Sequence, residues 1–398
     1  MGKVFPFTDT QRPLGGAIAN PRPKTAEFPQ SALTARVRDW RDLDRGDRVA
    51  AWDMLASWAS EPNPFYESWF LLPVLEQFDP QGSVMIFTLE ANGGLVGLMP
   101  LHRDRKYYGY PLPNIRGWTH DNCFLGAPLV ARGFEKAFWE HLLAWADRTP
   151  RLSLFLHLVH MPTEGPLHAA LAETVAAQDR PAAKVMHEER AMLASSLGPE
   201  EYYANALSTK KRKELRRQHR RLGELGKLEA TRLTDSDTLG DWCQEFLELE
   251  ARGWKGSQQS ALASDRRTER MFRRALSGAA RRGRLECLTL RLDGRAIAML
   301  ANFLTPPGGF SFKTTFDEEY ARYSPGVLLQ HENLEILYNS KIDWMDSCAA
   351  PDHPMINHLW RERRSIARYS IAIGGSLRQM TFAQTVRLEA GAASGGIT

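Results

Sequence analysis

The stretch FSFKTTFDEEYARYSPGVLLQHENLEILYNSKIDWMD, residues 310–346, decides how the chain reads. Phe310, Phe312, Thr314 and Phe316 recur at period two and predict one face of a half-buried strand, with Ser311, Lys313 and Thr315 on the other. A polar connector over residues 317–323 leads to Ser324 as helix N-cap, Pro325 at the first helical position, where its fixed φ is already helical, and Gly326, which lets a ligand approach the backbone. Val327, His331, Leu334 and Tyr338 continue at helical spacing, and residues 341–346 read as a second strand ending in the carboxylate of Asp346. Strand, helix start and strand bring unpaired helix amides and the positive end of the helix dipole to one place, which suits an anionic group such as a pyrophosphate. Many units of this kind hold no ligand, so the pattern alone leaves both readings open.

The same order occurs earlier in the chain. Apolar runs over 83–89 and 95–101, joined by Asn92-Gly93-Gly94, form one hairpin signal, and runs over 285–292 and 296–303, joined by Asp293-Gly294, form another. Helical patterns over 47–58, 69–78 and 134–145 and strand-like runs over 124–130 and 152–159 complete the first half. The repetition reads as a divergent duplication. Length agrees: 398 residues exceed one ordinary core and suit two domains, here 36–200 and 201–385, with 1–35 and 386–398 as flexible tails. The fold class expected is α/β with mixed sheets.

Net charge of +4 is mild, so a basic surface has to be local. It is found at 207–226, where Lys210, Lys211, Arg212, Lys213, Arg216, Arg217, Arg220 and Arg221 face one carboxylate, Glu214, over a thin seam of leucines. That helix is a solvated face, or it attracts an anionic ligand, an anionic lipid surface or nucleic acid; with no zinc finger or second basic cluster, nucleic acid is the least expected. Four cysteines without metal-ligand spacing predict free thiols in a reducing cytoplasm, and the N-terminus has no apolar run of the kind that directs export. No stretch is long enough to cross a bilayer, so membrane contact, at the inner face, would be peripheral.

On the helix expected over 239–255, Glu250 shares the apolar face with Cys243, Phe246, Leu247 and Trp254. Burial raises a carboxyl pKa and would poise Glu250 as a proton acceptor; an ion pair with an arginine explains the position equally well. His353, in the turn Pro351-Asp352-His353-Pro354, is a second candidate base or an exposed loop histidine, with Asp346 as the carboxylate that would hold its tautomer. Lys313 contacts a phosphate or is simply exposed, and His120 with Asp121 forms a polar cluster at a strand entrance. His353 and His358 lack the spacing of a helical zinc pair, so no metal site is expected. The chain has no Walker loop, no GxGxxG after a strand, no GxSxG and no HExxH, which removes support for nucleotide hydrolysis, nicotinamide redox chemistry and serine hydrolysis.

The sequence resembles the acetyltransferase-like family of the GNAT superfamily associated with cellulose biosynthesis and, more distantly, the FemABX peptidyltransferases. The resemblance lies in LSTKKRKELRRQHRRLGEL at 207–225, LEARGWKG at 249–256, the Asp293-Gly294 hairpin, FSFKTTFDEEYARYSPGVLL at 310–329 and Trp344 to Asp346; NPFYESWF at 63–70 and FLGAPLV at 124–130 look like a degenerate first half. It implies two tandem GNAT-like acyltransferase domains and transfer of an acyl group from a thioester, usually acyl-CoA, to an amine. Ser324, Gly326 and Val327 would then hold the donor with Lys313, Trp254 and Lys255 would line the acceptor site with His120 and Asp121, and Glu250 or His353 would take the proton. No tightly bound cofactor is implied; the thioester is a co-substrate. The helix start departs from the usual GNAT pattern of Arg or Gln, two residues, Gly, one residue, then Gly or Ala, because Arg322 is followed by a single Gly326. A carrier-protein thioester or an aminoacyl-tRNA is therefore an alternative donor. The acceptors implied are amines of envelope precursors, amino sugars or amino lipids such as a sphingoid base; a tandem domain that only binds acyl carriers or a partner is the non-enzymatic alternative.

Overall fold

The computed structural model describes residues 33–233 and 237–390. Its first-half strands are β1 (Leu33–Asp39), β2 (Met85–Ala91), β3 (Gly94–Asp104), β4 (Asn114–Gly117), β5 (Leu129–Val130), β6 (Phe155–Pro162) and β7 (Ala182–Leu193). The second half adds β8 (Leu228–Leu233), β9 (Leu285–Leu292), β10 (Arg295–Thr305), β11 (Gly308–Phe316), β12 (Trp344–Asp346) and β13 (Glu362–Ala372). The principal helices are α1 (Gly46–Trp58), α2 (Ser68–Phe78), α3 (Glu135–Arg148), α4 (Pro166–Ala177), α5 (Pro199–Ala206), α6 (Thr209–Gly223), α7 (Leu239–Arg252), α8 (Arg266–Ala280), α9 (Pro325–Asn333) and α10 (Ser376–Ala390).

Both hairpins form for the expected reason. Asn92 and Gly93 have φ of 50° and 81°, Asp293 and Gly294 of 48° and 81°, the paired left-handed conformation of a two-residue turn that these residue types tolerate. The strands join one mixed sheet in the order β1-β2-β3-β4-β6-β13-β7-β12-β11-β10-β9-β8. From either edge the order is the same: four strands paired antiparallel, then a parallel neighbour, β6 beside β4 or β12 beside β11. At the centre the halves exchange strands. β7 of the first half pairs with β12 of the second, and β13 of the second pairs with β6 of the first. The two stretches expected at 36–200 and 201–385 thus share their central strands.

Helix α2 lies along α8, close enough that a Cβ at Gly278 would stand 2.9 Å from Trp69 Cβ. Under this junction Trp69, Phe70, Phe65, Phe303 and Phe312 form one aromatic cluster, with Trp69 to Phe303 at 4.8 Å and Phe303 to Phe312 at 4.5 Å between ring centroids. Each such side chain contributes on the order of 1.5–3 kcal/mol by burial, so the halves share one apolar core.

Residues 310–346 differ from their sequence pattern in four ways. The strand begins at Gly308 and is covered on both faces, because Ser311 and Thr315 are buried as well as Phe310 and Phe312. A bulge breaks its alternation: Ala301 faces Lys313 and Asn302 faces Ser311, so Phe312 has no partner, and Phe316 packs in the cluster of Leu328 and Leu329 rather than with Phe310. Ser324 is not a side-chain cap; its φ of 55° is left-handed, and only its carbonyl accepts, from Val327 and Leu328. The helix passes into a 3-10 turn at Leu334–Tyr338, and the second strand shortens to Trp344–Asp346. Elsewhere the strand expected over 124–130 is confined to Leu129–Val130, and the basic helix forms at Thr209–Gly223, capped by Ser208 Oγ accepting from Lys211 N at 3.3 Å. The expected tails lie outside the described residues except for 33–35, which open β1, and 386–390, which end α10.

At the centre of the sheet Asp346 is fully buried. Its Oδ2 accepts from Arg190 of β7 at 2.6 Å and Arg364 of β13 at 2.8 Å, and its Oδ1 accepts from Cys348 N at 2.9 Å. Burial alone would raise this carboxyl; the two guanidiniums outweigh it and hold the pKa below the usual carboxylate range. The catalytic role expected for Asp346 is therefore corrected to a structural one, since its oxygens are engaged by β7, β13 and its own loop. Asp346→Asn should lower unfolding free energy by about 3–5 kcal/mol, read as a fall in the urea midpoint with unchanged slope. Because the folded pKa is depressed, that stabilisation is present at neutral pH and fades as pH drops below the ordinary carboxylate value, so wild type and Asp346→Asn should converge in acid.

Candidate active site

β11 and β12 run parallel only as far as the Phe310–Asp346 pair. Beyond it β11 continues to Phe316, while the chain after Asp346 turns away through Cys348, whose φ is 53°. The strands part, and α9 starts beside the opening. A Cβ at Gly326 would lie 3.2 Å from Met355 Sδ and 3.5 Å from Phe316 Cδ1, so glycine lets the 351–358 segment close over the helix start. Val327 is not available there: its side chain packs toward the cluster of Leu334 and Ile336, and its N–H is bonded to Ser324 O at 2.9 Å. In the first half the corresponding gap beyond β4 is filled by its own chain, with Gly126 N donating to His160 O at 3.0 Å and a Cβ at Gly126 only 2.1 Å from Val159 O.

Outside the helix start, Arg322 and Tyr323 meet Arg217, Gln218 and Arg221 of α6 in a groove of about 280 Å³, joined to one of about 510 Å³ lined by Leu225, Asp293 and Arg295. Gln218 Nε2 donates to Arg322 O at 3.2 Å and fixes α6 against this loop. The basic helix therefore lies beside the proposed anion-holding helix start, a juxtaposition across about a hundred residues of sequence that periodicity could not reveal.

At the inner mouth the charged side chains converge. Glu250 is buried, its Oε1 accepting from Lys255 Nζ at 2.8 Å and its Oε2 from Leu262 N at 2.8 Å. This is the ion pair weighed in the sequence, with a lysine in place of an arginine. Lys255 Nζ also donates to Thr314 O at 3.3 Å, on the strand just past the bulge. Lys313 Nζ lies 5.3 Å from the Phe124 ring centroid, and burial, then the neighbouring charge of Lys255, push its pKa down to about 8. Phe124 reaches the site from the first half and was not recognised in the sequence as a site residue. Its carbonyl is held by Arg190 Nη1 at 2.8 Å, the same guanidinium that binds Asp346.

His353 is half-buried; burial lowers its pKa, Asp352 opposes the shift and Lys255 adds to it, so the imidazole is neutral at physiological pH and within electrostatic reach of Lys255. Asp346 does not hold its tautomer; Nδ1 faces Ile356 N at 3.5 Å. His120 packs on Phe78 at 3.9 Å between centroids, and burial pushes it down to about 4, Asp121 opposing. Asp121 also acts on Lys313, so this polar pair does stand at the same mouth. Trp254 is exposed, and its backbone N–H donates to Glu318 Oε1 at 2.6 Å, which ties the end of α7 to the loop before α9. Among the described residues no cluster could hold a metal ion, and no helix is long and apolar enough to cross a membrane.

Two measurements follow from these charges. His120 is neutral in the fold but titrates near 6.5 when unfolded, so its stabilising share is present above pH 6.5 and is lost as pH falls toward 4; His120→Gln should flatten the stability profile across that window. Lys313→Met removes a charge that burial disfavours and should raise stability at pH 7, by about 0.5–2 kcal/mol in chemical denaturation, while impairing whatever the site does.

Residues 209–353 match the family described as acetyltransferase (GNAT) domain. No curated protein matches the chain. Among solved structures, a conserved protein of unknown function from Bacteroides thetaiotaomicron VPI-5482 is similar at TM-score 0.54 and 12% identity, covering 82% of this chain and 97% of that one. FemX is similar at TM-score 0.53 and 9% identity over 85% of this chain and 97% of its own. The C-terminal DUF2156 domain of a putative lysylphosphatidylglycerol synthetase from Agrobacterium fabrum gives 0.51 and 12%, over 87% and 98%. At such identities these likenesses show the fold alone. Residues 209–353, in the second of two similarly ordered halves fused through one sheet, thus match an acetyltransferase (GNAT) domain, and the fold as a whole is similar to that of FemX.

Proposed function

We propose that this protein is an N-acyltransferase that moves an acyl group from a thioester, acyl-CoA or an acyl carrier, to an amine of an envelope precursor such as an amino lipid or amino sugar. The observation that carries the reading is the open gap between β11 and β12, with the α9 start and its arginines at one end and Glu250, Lys255, Lys313 and His353 at the other. The donor phosphates lie beside the α9 start, on Arg322 with Arg217 and Arg221 of α6, where guanidiniums favour anions. The acyl carbonyl then lies along β11 at the Phe312 bulge, where the ladder is interrupted and backbone is free to meet a developing oxyanion.

The acceptor enters from the side of Lys255 and Asp121. Two lysines near an acceptor ammonium lower its pKa and favour the neutral nucleophile. The amine nitrogen attacks the carbonyl carbon, a tetrahedral oxyanion forms, the amine proton passes to His353, and the C–S bond breaks to release the thiolate, which Lys313 protonates or neutralises. Glu250, with both oxygens engaged, positions Lys255. General-base catalysis of this kind contributes roughly 10²–10⁴ in rate, so His353→Ala should lower kcat by about that factor with little effect on donor binding. Glu250→Gln should act through Lys255 and raise KM for the amine more than it lowers kcat.

A second reading is aminoacyl transfer from charged tRNA, favoured by the exposed basic face of α6 beside the helix start: Lys210, Lys211, Lys213, Arg216 and Arg220. The same face would also suit an acidic carrier protein or an anionic membrane carrying an amino-lipid acceptor. The deciding experiment is the melting temperature of the purified protein with acetyl-CoA, palmitoyl-CoA, their carrier-protein thioesters and aminoacyl-tRNA. A ligand at a hundred times its Kd stabilises by about 2.7 kcal/mol, an upward shift that identifies the donor. A shift with aminoacyl-tRNA alone replaces the first reading by the second; no shift with any donor removes both.

A further inference from the structure

We propose that the first half contains a separate site for an oxyanion, a carboxylate or a phosphate ester, gripped by Arg116 of β4 and Arg368 of β13 beside His157, His160 and Tyr108.

The argument begins with the internal repetition of the sheet. In the second half the last parallel pair before the strands part is Phe310 with Asp346; in the first half it is Arg116 with His157. Asp346 pairs across to Met192 of β7, and His157 pairs across to Ser370 of β13. Two residues before each partner stands an arginine, Arg190 in β7 and Arg368 in β13. The guanidinium recurs at the equivalent place, but the carboxylate that neutralises it in the second half is replaced by an imidazole in the first. Arg116 adds a second positive charge where the second half has Phe310.

The side-chain bonding agrees. Nε of Arg116 and Nε of Arg368 are both buried without a hydrogen-bond partner, and so is Nδ1 of His160. Among the described residues Arg116 makes no side-chain hydrogen bond or ion pair at all, and Arg368 has only the Tyr108 hydroxyl, to which its Nη1 donates at 2.7 Å. The carboxylate within reach of Arg116, Asp104, is committed to His102 at 2.9 Å. His157 is pinned between Ser370 Oγ at 3.0 Å and Tyr108 Oη at 3.2 Å, so it stands beside the two guanidiniums without adding charge. Burial, with help from Arg116 and Arg368, pushes His157 down to about 3 and His160 to about 4.

His160 itself has φ of 49°, at the point where the β6–β13 register slips between Ala367 and Tyr369. A bulge re-aims side chains, and a left-handed residue other than glycine is strained, an arrangement that clusters at binding sites. Guanidiniums buried without acceptors are costly, and an oxyanion between Arg116 and Arg368 would satisfy both at once. Tyr108 is 53% exposed, so the rim is open to solvent.

The test is calorimetric titration of the full chain with inorganic phosphate and, separately, acetate. It is done in an Arg322→Gln background, which weakens anion binding at the donor groove, and only the binding that Arg116→Gln or Arg368→Gln removes is assigned to this site, so that failure of this site and failure of the donor assignment are distinguishable. Phosphate or acetate should bind, and Arg116→Gln or Arg368→Gln should weaken that binding at least about tenfold, the loss of one charge-assisted contact. The preferred anion tells a phosphate ester from a carboxylate. Should either variant fail to fold, proton NMR of Arg322→Gln alone at pH 5 decides: neutralising the guanidiniums raises the pKa of His160, so phosphate should move its ring signals toward the protonated form. Unchanged affinity in folded Arg116→Gln and Arg368→Gln, an unmoved His160 signal, or binding that disappears with Arg322→Gln overturns the proposal.

Discussion

The Asp346 carboxylate, held by Arg190 and Arg364 at the middle of the sheet, is the interaction on which the remaining architecture depends. It joins β12 to β7 and β13, strands drawn from both halves, at the pair where β11 and β12 begin to part. A buried ion cluster gains little net energy over apolar packing, because desolvation offsets attraction, but removal of one member leaves charges that nothing else can satisfy. Its value here is positional. Any other register of β12 would bury two arginines without a carboxylate, so the opening between β11 and β12 has one place to start.

The same cluster reaches the proposed chemistry through one further bond. Arg190 spans from Asp346 to the carbonyl of Phe124, whose ring lies against Lys313. The first half therefore contributes a wall of the second half's site. Its own gap is filled by the chain around Gly126, and the segment that fills it carries His120, Asp121 and Phe124 across to the other side. Degeneracy of one half and completeness of the other are two aspects of one packing arrangement.

Much of this was legible in the sequence where the causes are local. The hairpin turns announce themselves because Asn92-Gly93 and Asp293-Gly294 adopt a conformation that few other dipeptides accept. Glu250 stood out because a carboxylate on an apolar helix face needs a partner, and Lys255, five residues on, supplies it. What escaped was non-local. Asp346 looked catalytic because its partners lie 156 and 18 residues away, beyond any periodicity argument. The bulge at Phe312 depends on the register with β10, and the left-handed Ser324 on how the 3-10 turn Glu318–Tyr323 meets α9; neither leaves a mark in period or propensity. The exchange of β7 and β13 is a matter of topology, which alternating apolar residues do not encode.

That exchange also bears on how the chain is made. β13 lies between β6 and β7, and among the described strands it is the last in the sequence to leave the ribosome. Until it arrives, β6 and β7 each present an unpaired edge. Unpaired edges are templates for pairing with other chains. The nascent first half is therefore an open-edged sheet awaiting its central strand, and a ribosome that stalls before residue 362 releases a sticky product rather than a small, self-sufficient domain.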